Sequence, residues 1–272
     1  MLRTEMRNPD TYQIGNMSTI DIISTINKEN NNVFCAIEKV LPQIGEACDS
    51  TAEVIKNGGK VYYIGAGTSG RLGICDAAEC PPTFGVPKDM FTGIIAGGYN
   101  SLHSAAENEE DDPDLSVEEL KKHGLCEKDI VIGISASGSA TYVISALEYA
   151  KSIGAKTVSV TNNPGTHMGE IAHISICADT GPEVITGSTR MKAGTAQKII
   201  LNMISTTAMV KCGYVYENLM INLKPKNKKL KNRMIEIVSE ITKLDAQESK
   251  NLLDECEWSI PKAKEKFERD NS

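Results

Sequence analysis

The run Val61-Tyr62-Tyr63-Ile64 feeds directly into Gly65-Ala66-Gly67-Thr68-Ser69-Gly70-Arg71, an apolar β-rich stretch followed by a glycine loop with two hydroxyls and then a helical pattern. Such a chain places strand, tight loop and helix start in succession. Glycine lets the backbone approach an anion closely, and the N–H groups and positive dipole end of the helix favour negative charge. A second loop of the same layout, Gly133-Ile134-Ser135-Ala136-Ser137-Gly138-Ser139, follows Ile130-Val131-Ile132 about 70 residues later. Two such loops at equivalent points of a strand–loop–helix rhythm predict one phosphorylated ligand in a crevice at the carboxyl ends of parallel strands. Its hydroxyl contacts are Thr68 and Ser69 from the first loop and Ser135 and Ser137 from the second.

The glycines at 65, 67 and 70 also spell G-x-G-x-x-G, the spacing of a dinucleotide fingerprint. That reading needs an acidic residue at the end of the next strand, roughly 20 residues on, to hold a ribose. Here the next strand candidate, Phe91 to Ala96, runs instead into Gly97-Gly98-Tyr99-Asn100. The loop is read as a cradle for a phosphate monoester.

Short apolar runs recur at 61–65, 91–96, 130–134, 157–161 and 173–178, with helical patterns between most of them. Five strands alternating with helices predict an α/β fold, a doubly wound five-stranded parallel sheet covered on both faces. Ahead of it, a helix starts at 18–21 and a longer amphipathic helix over 33–55 is interrupted near Pro42, and after Gly213 the chain turns polar and basic before helices near 232–242 and 246–256. The expected organisation is an N-terminal helical segment at 1–52, an α/β phosphate-binding domain at 53–216 and a C-terminal helical segment at 217–272. The 272 residues, 40% hydrophobic, are enough for one sizeable core.

No apolar run is long enough for a membrane span and no basic-then-apolar leader opens the chain, so a cytoplasmic protein without membrane contact is expected. A net charge of −7, with basic residues clustered only at 224–231, argues against nucleic acid as a partner. The eight cysteines never fall into C-x-x-C, which speaks against a zinc site and a disulfide framework. No ligand cluster calls for a metal, and no cofactor is expected.

Two sets of carboxylates are candidates for proton transfer. Glu79 sits at the end of the helix launched by the first loop, and Pro81-Pro82 disfavours helical geometry at Cys80, which predicts a helix stop there. A carboxylate at the negative end of a helix dipole suits a general acid. Downstream, Glu107, Glu109, Glu110, Asp111 and Asp112 form an acidic cluster in which crowding would raise one member toward a useful base. The spacing alone leaves open which one.

Longer motifs narrow this. Gly65 to Ile74, Ala78-Glu79-Cys80-Pro81-Pro82-Thr83-Phe84-Gly85, Ile95 to Gly98, and Thr186-Gly187-Ser188-Thr189-Arg190-Met191-Lys192-Ala193-Gly194-Thr195-Ala196-Gln197-Lys198 together resemble the N-acetylmuramic acid 6-phosphate etherases. The likeness runs from about Met17 to Ala263. It implies the sugar isomerase (SIS) fold, shared with phosphosugar isomerases and with the glucokinase regulatory protein, a non-catalytic phosphosugar binder. It implies cleavage of a D-lactyl ether, with Glu79 as proton donor and Glu110 as base, no metal, and a homodimer. Glu183 resembles a catalytic position of sister isomerases and is carried as a substrate-binding candidate, with a structural role as its alternative. Lys192 reads as a helix-surface lysine. Two departures from the family stand out: Ala140 replaces a second-loop threonine, with Thr141 one place later, and the helical tail ending at Ser272 is shorter than usual.

Overall fold

A computed structural model describes residues 2–104 and 111–271. Five strands, β1 (Val61–Gly65), β2 (Phe91–Ile95), β3 (Ile130–Ile134), β4 (Lys156–Thr161) and β5 (Ile174–Cys177), form one parallel sheet in the order β2-β1-β3-β4-β5. β1 and β3 are buried along their whole length, as continuous apolar runs require when helices cover both faces. The pairing aligns Val61 with Phe91 on one side and Ile130 on the other. The expected fold class therefore holds.

The order matters for function. From β1 the chain crosses to β2 on one side, then returns to β3 on the other, so the loops leaving β1 and β3 diverge. A ligand crevice forms at such a switch point. It opens above the carboxyl ends of β1 and β3, where both glycine loops lie.

The chain divides into two compact units, one comprising residues 1–78 with 89–208, the other 79–88 with 209–272. In the first, α1 (Thr19–Glu38) and α2 (Leu41–Lys56) precede the sheet. The interruption expected near Pro42 is the break between α1 and α2 at 39–40, and Pro42 lies in the first turn of α2, where its missing N–H is harmless. Helix α2 packs against β1 and β5, so the N-terminal helices belong to the sheet unit. On the sheet, Tyr62, Ile64 and Val131 meet Leu120 of α4 (Pro113–Lys122), Tyr142, Val143 and Leu147 of α5 (Thr141–Ser152) and Met168 of α6 (His167–Ile171) in one buried cluster. Each such fully buried aliphatic side chain contributes roughly 1.5–3 kcal/mol. α7 (Lys192–Lys211) completes the unit as far as Ala208.

One expectation fails at α3 (Gly67–Phe84), which does not stop at Cys80 but carries Pro81 and Pro82 inside its last turn. The prolines withdraw two N–H donors, yet the preference of a residue before proline is only a bias. Packing overrides it. Phe84 is buried and its carbonyl accepts from Asn222 Nδ2 at 2.8 Å. The helix ends at Gly85, φ +64°, whose N–H bonds Pro81 O at 3.0 Å. A Cβ at Gly85 would stand 1.8 Å from Asn222 O, so only glycine fits this exit.

The second unit holds a two-stranded antiparallel ribbon, β6 (Val215–Tyr216) and β7 (Leu219–Met220), then α8 (Lys228–Thr242), α9 (Ala246–Glu255) and α10 (Ile260–Asp270). Met234, Val238, Leu253, Ile260 and Ala263 make its core. The basic run 224–231 enters the first turn of α8, with Asn227 as N-cap accepting from Leu230 N at 2.8 Å. No helix among the described residues is long and apolar enough to cross a membrane.

Candidate phosphosugar site

Both glycine loops converge on one pocket of about 260 Å³, lined by Thr68 and Ser69 after β1 and by Ser135 and Ser137 after β3. The closeness of strand and helix in the first loop depends on two glycines. A Cβ on Gly65 would lie 2.7 Å from Gly70 N, and one on Gly70 would lie 2.6 Å from Gly65 O. Any side chain there would push the first turn of α3 off the strand end.

Within the pocket the hydroxyls are ordered by a polar scaffold. Ser69 Oγ donates to Gln197 Oε1 at 2.8 Å, Gln197 Nε2 donates to Asn162 Oδ1 at 3.0 Å, and Asn162 Nδ2 donates to Ala178 O at 2.8 Å. This chain fixes the first turn of α3 against α7 and the end of β4. In the second loop Ser135 Oγ accepts from Gly138 N at 3.1 Å, and Ser137 Oγ accepts from Ser139 N at 3.2 Å. Asn163 Nδ2 braces that loop by donating to Ala136 O at 2.8 Å. Gln197, Asn162 and Asn163 escaped the sequence reading. Their signal is faint, since an isolated amide in a helix or after a strand has no spacing to betray it.

Ala140 occupies the N-cap of α5 and offers no side-chain acceptor, while Thr141 becomes the first helical residue and does not line the pocket. The first N–H groups of α5 thus have no side-chain cap at the pocket wall, the arrangement that receives an anion. Thr189 and two carboxylates, Glu5 and Asp111, line the same space.

The other sequence-derived residues lie elsewhere. Glu79 is an exposed residue of α3, is absent from the pocket lining and falls in the second unit. Glu110 lies outside the described residues. Glu183 is fully buried, and its carboxylate accepts from the backbone N–H groups of Lys192 at 3.0 Å and Ala193 at 2.9 Å. Burial pushes its pKa up, opposed by those two hydrogen bonds and by the Lys192 charge. It is fully buried and anchors the start of α7, which supports the structural alternative for Glu183.

Lys192 is likewise not a surface residue. Only 1% exposed, its Nζ lies 2.6 Å from Glu29 Oε2, and Asn8 Nδ2 donates to the same oxygen at 2.7 Å. The error has a physical cause: a lysine at the first position of a helix reads as solvated until the partner carboxylate, 163 positions away, is brought beside it by the fold.

Residues 43–151 match the glucokinase regulatory protein N-terminal SIS domain and residues 119–206 the SIS domain. Among solved structures, a phosphoheptose isomerase from Francisella tularensis superposes with a TM-score of 0.57 at 19% identity, covering 71% of this chain and all of that one. That likeness concerns the fold. Among curated proteins, the N-acetylmuramic acid 6-phosphate etherase of Clostridium botulinum (strain Okra / Type B1) is 50% identical over 95% of this chain and 86% of its own length. The etherase of Actinobacillus pleuropneumoniae serotype 5b is 48% identical over 92% and 82% respectively. This chain belongs to the N-acetylmuramic acid 6-phosphate etherase family. Identity at this level extends along nearly the whole chain.

Proposed function

We propose that the protein is an etherase that cleaves the D-lactyl ether of N-acetylmuramic acid 6-phosphate, giving N-acetylglucosamine 6-phosphate and D-lactate. The observation that carries this reading is the identity of 45–50% to etherases over nearly the whole chain. The single pocket formed by two hydroxyl-bearing loops at the sheet's switch point supports it.

The chemistry follows from the substrate. Direct displacement at C3 is difficult, whereas opening the sugar ring exposes a C1 aldehyde that acidifies the C2 proton. In our reading Glu110 removes that proton, electrons form the C2–C3 double bond, and the C3–O bond breaks as Glu79 protonates the departing lactyl oxygen. Water then adds at C3 and a proton returns to C2, with the two carboxylates reversing roles. Thr68, Ser69, Ser135 and Ser137, with the backbone N–H groups of their loops, hold the phosphate. The protein acts as a cytoplasmic homodimer, a placement supported by scattered cysteines without disulfide spacing and by the family resemblance.

The test is direct. Purified protein given N-acetylmuramic acid 6-phosphate should release stoichiometric D-lactate. Binding without lactate would make it a sensor, and an aldose–ketose interconversion without lactate would make it an isomerase.

A further inference from the structure

The pocket contains a carboxylate from an unexpected place. Residues 2–11, ahead of the first helix, run as a strap across the loops that leave β4 and β5. Thr4 N donates to Asn163 Oδ1 at 3.2 Å and Thr4 Oγ1 accepts from Asn163 Nδ2 at 2.9 Å. Asn8 Nδ2 donates to Glu29 Oε2 and also to Pro182 O at 3.3 Å, and Thr11 Oγ1 donates to Val184 O at 2.9 Å. Thr4, Asn8 and Thr11 are all buried. Between the first two anchors stands Glu5, whose side chain enters the pocket wall, close to Gly187 and in the same lining as Thr68 and Ser135. Asn163 bonds both the strap at Thr4 and the second loop at Ala136, so the carboxylate and the phosphate seat are set by one residue.

A carboxylate beside a phosphate seat cannot accept from the phosphate oxygens and repels them. A ligand seated there is therefore expected to turn an uncharged part toward it. In a hexose 6-phosphate, C5 bears both the phosphate arm and the ring oxygen, so the O5–C1 edge lies next to the phosphate in the covalent skeleton. Among the described residues lining the pocket, Glu5 and Asp111 are the only carboxylates.

We propose that Glu5 is the catalytic residue that opens the sugar ring. This rests on the etherase reading, which requires an open chain before C2 can lose its proton. One carboxylate oxygen takes the proton from the C1 hydroxyl, the O1 electron pair forms the C1 carbonyl, and the C1–O5 pair leaves to O5. The proton then passes from the carboxyl group to O5, restoring the carboxylate. No atom or electron is gained or lost, and no cofactor enters the step.

Ring opening exchanges the anomers of the sugar, which gives a readout independent of ether cleavage. Wild-type protein should speed α–β exchange of N-acetylglucosamine 6-phosphate, measured by NMR exchange spectroscopy. Glu5→Gln and Glu5→Ala should each cut that acceleration by about 10²-fold or more, the usual range for general acid–base catalysis. Inorganic phosphate should still compete for the pocket in both variants, since the hydroxyl loops are untouched. Asp111→Asn should still speed the exchange of the anomers. The proposal is overturned if either Glu5 variant exchanges anomers at the wild-type rate, if Asp111→Asn alone abolishes exchange, or if a wild type that releases lactate does not speed exchange. A wild type that releases no lactate would sink the etherase reading instead.

Discussion

Replacing Lys192 by methionine tests the buried ion pair between α1 and α7. The side chain is 1% exposed and Glu29 6%, so the 2.6 Å ion pair is screened by little water. Methionine fills much of the volume but leaves Glu29 buried without its cation and removes a favourable charge from Glu183. Removing one partner of a buried pair costs about 3–5 kcal/mol, because the remaining charge is uncompensated. At roughly 2–4 °C per kcal/mol for a unit of this size, the thermal midpoint should fall by about 6–20 °C. Circular dichroism melts at neutral pH would measure it, within a double-mutant cycle. Glu29→Gln combined with Lys192→Met removes both charges and leaves Asn8 an amide oxygen to bond, so the double variant should regain part of the loss, with a coupling above about 1 kcal/mol. A loss under about 1 kcal/mol in Lys192→Met, or strict additivity in the cycle, would refute the claim that this pair fastens the N-terminal strap and α1 to α7.

Gly65→Ala should leave the protein folded in its helices while weakening sugar-phosphate affinity at least tenfold by calorimetry, since the new methyl would collide with Gly70 N. An affinity within twofold of wild type would count against the loop geometry. Glu110→Gln should abolish both C2 proton exchange and lactate release, by about 10²-fold or more, while Glu79→Gln should block lactate release and leave C2 exchange in place. Near-normal turnover in both would unseat the acid–base pair. His173 has a lowered pKa because partial burial disfavours its charged form, with Lys151 and Lys156 adding repulsion, and its Nδ1 accepts from Thr157 N at 3.1 Å. The folded pKa lies below the unfolded one, so its contribution is complete above about pH 6.5 and declines as pH falls toward the folded pKa. Imidazole NMR titration should therefore give a value under that of a free histidine, and a value above it would contradict the packing.

What could be read from the sequence follows from how local each signal is. The strands announced themselves as apolar runs bounded by glycine, and the observed β1, β3 and β5 fall within a residue or two of the expected limits. That Thr68, Ser69, Ser135 and Ser137 share one pocket was legible because their loops sit at fixed places in the strand–helix rhythm. The residues that organise them were not. Gln197 bonds Ser69 across 128 positions, and Thr4 meets Asn163 across 159, distances over which no periodicity operates. Glu5 shows the same limit, because nothing local tells a glutamate near the chain start that lines a pocket from any other exposed one. The overrun of α3 through two prolines reflects tertiary packing at Phe84 defeating a local preference.

The central claim is cleavage by elimination and hydration, and the fate of solvent atoms tests it most directly. The reaction should be run in D₂O enriched in ¹⁸O, and both products analysed by mass spectrometry and NMR. Elimination breaks the C3–O bond and water restores it, so N-acetylglucosamine 6-phosphate should carry ¹⁸O at C3 and deuterium at C2, with unlabelled D-lactate. A base shielded from solvent can return its own proton and dilute the deuterium, which makes the oxygen label the stricter measure. Finding ¹⁸O in lactate and none at C3 would mean attack at the lactyl carbon, and would contradict the elimination route together with the roles assigned to Glu79, Glu110 and Glu5.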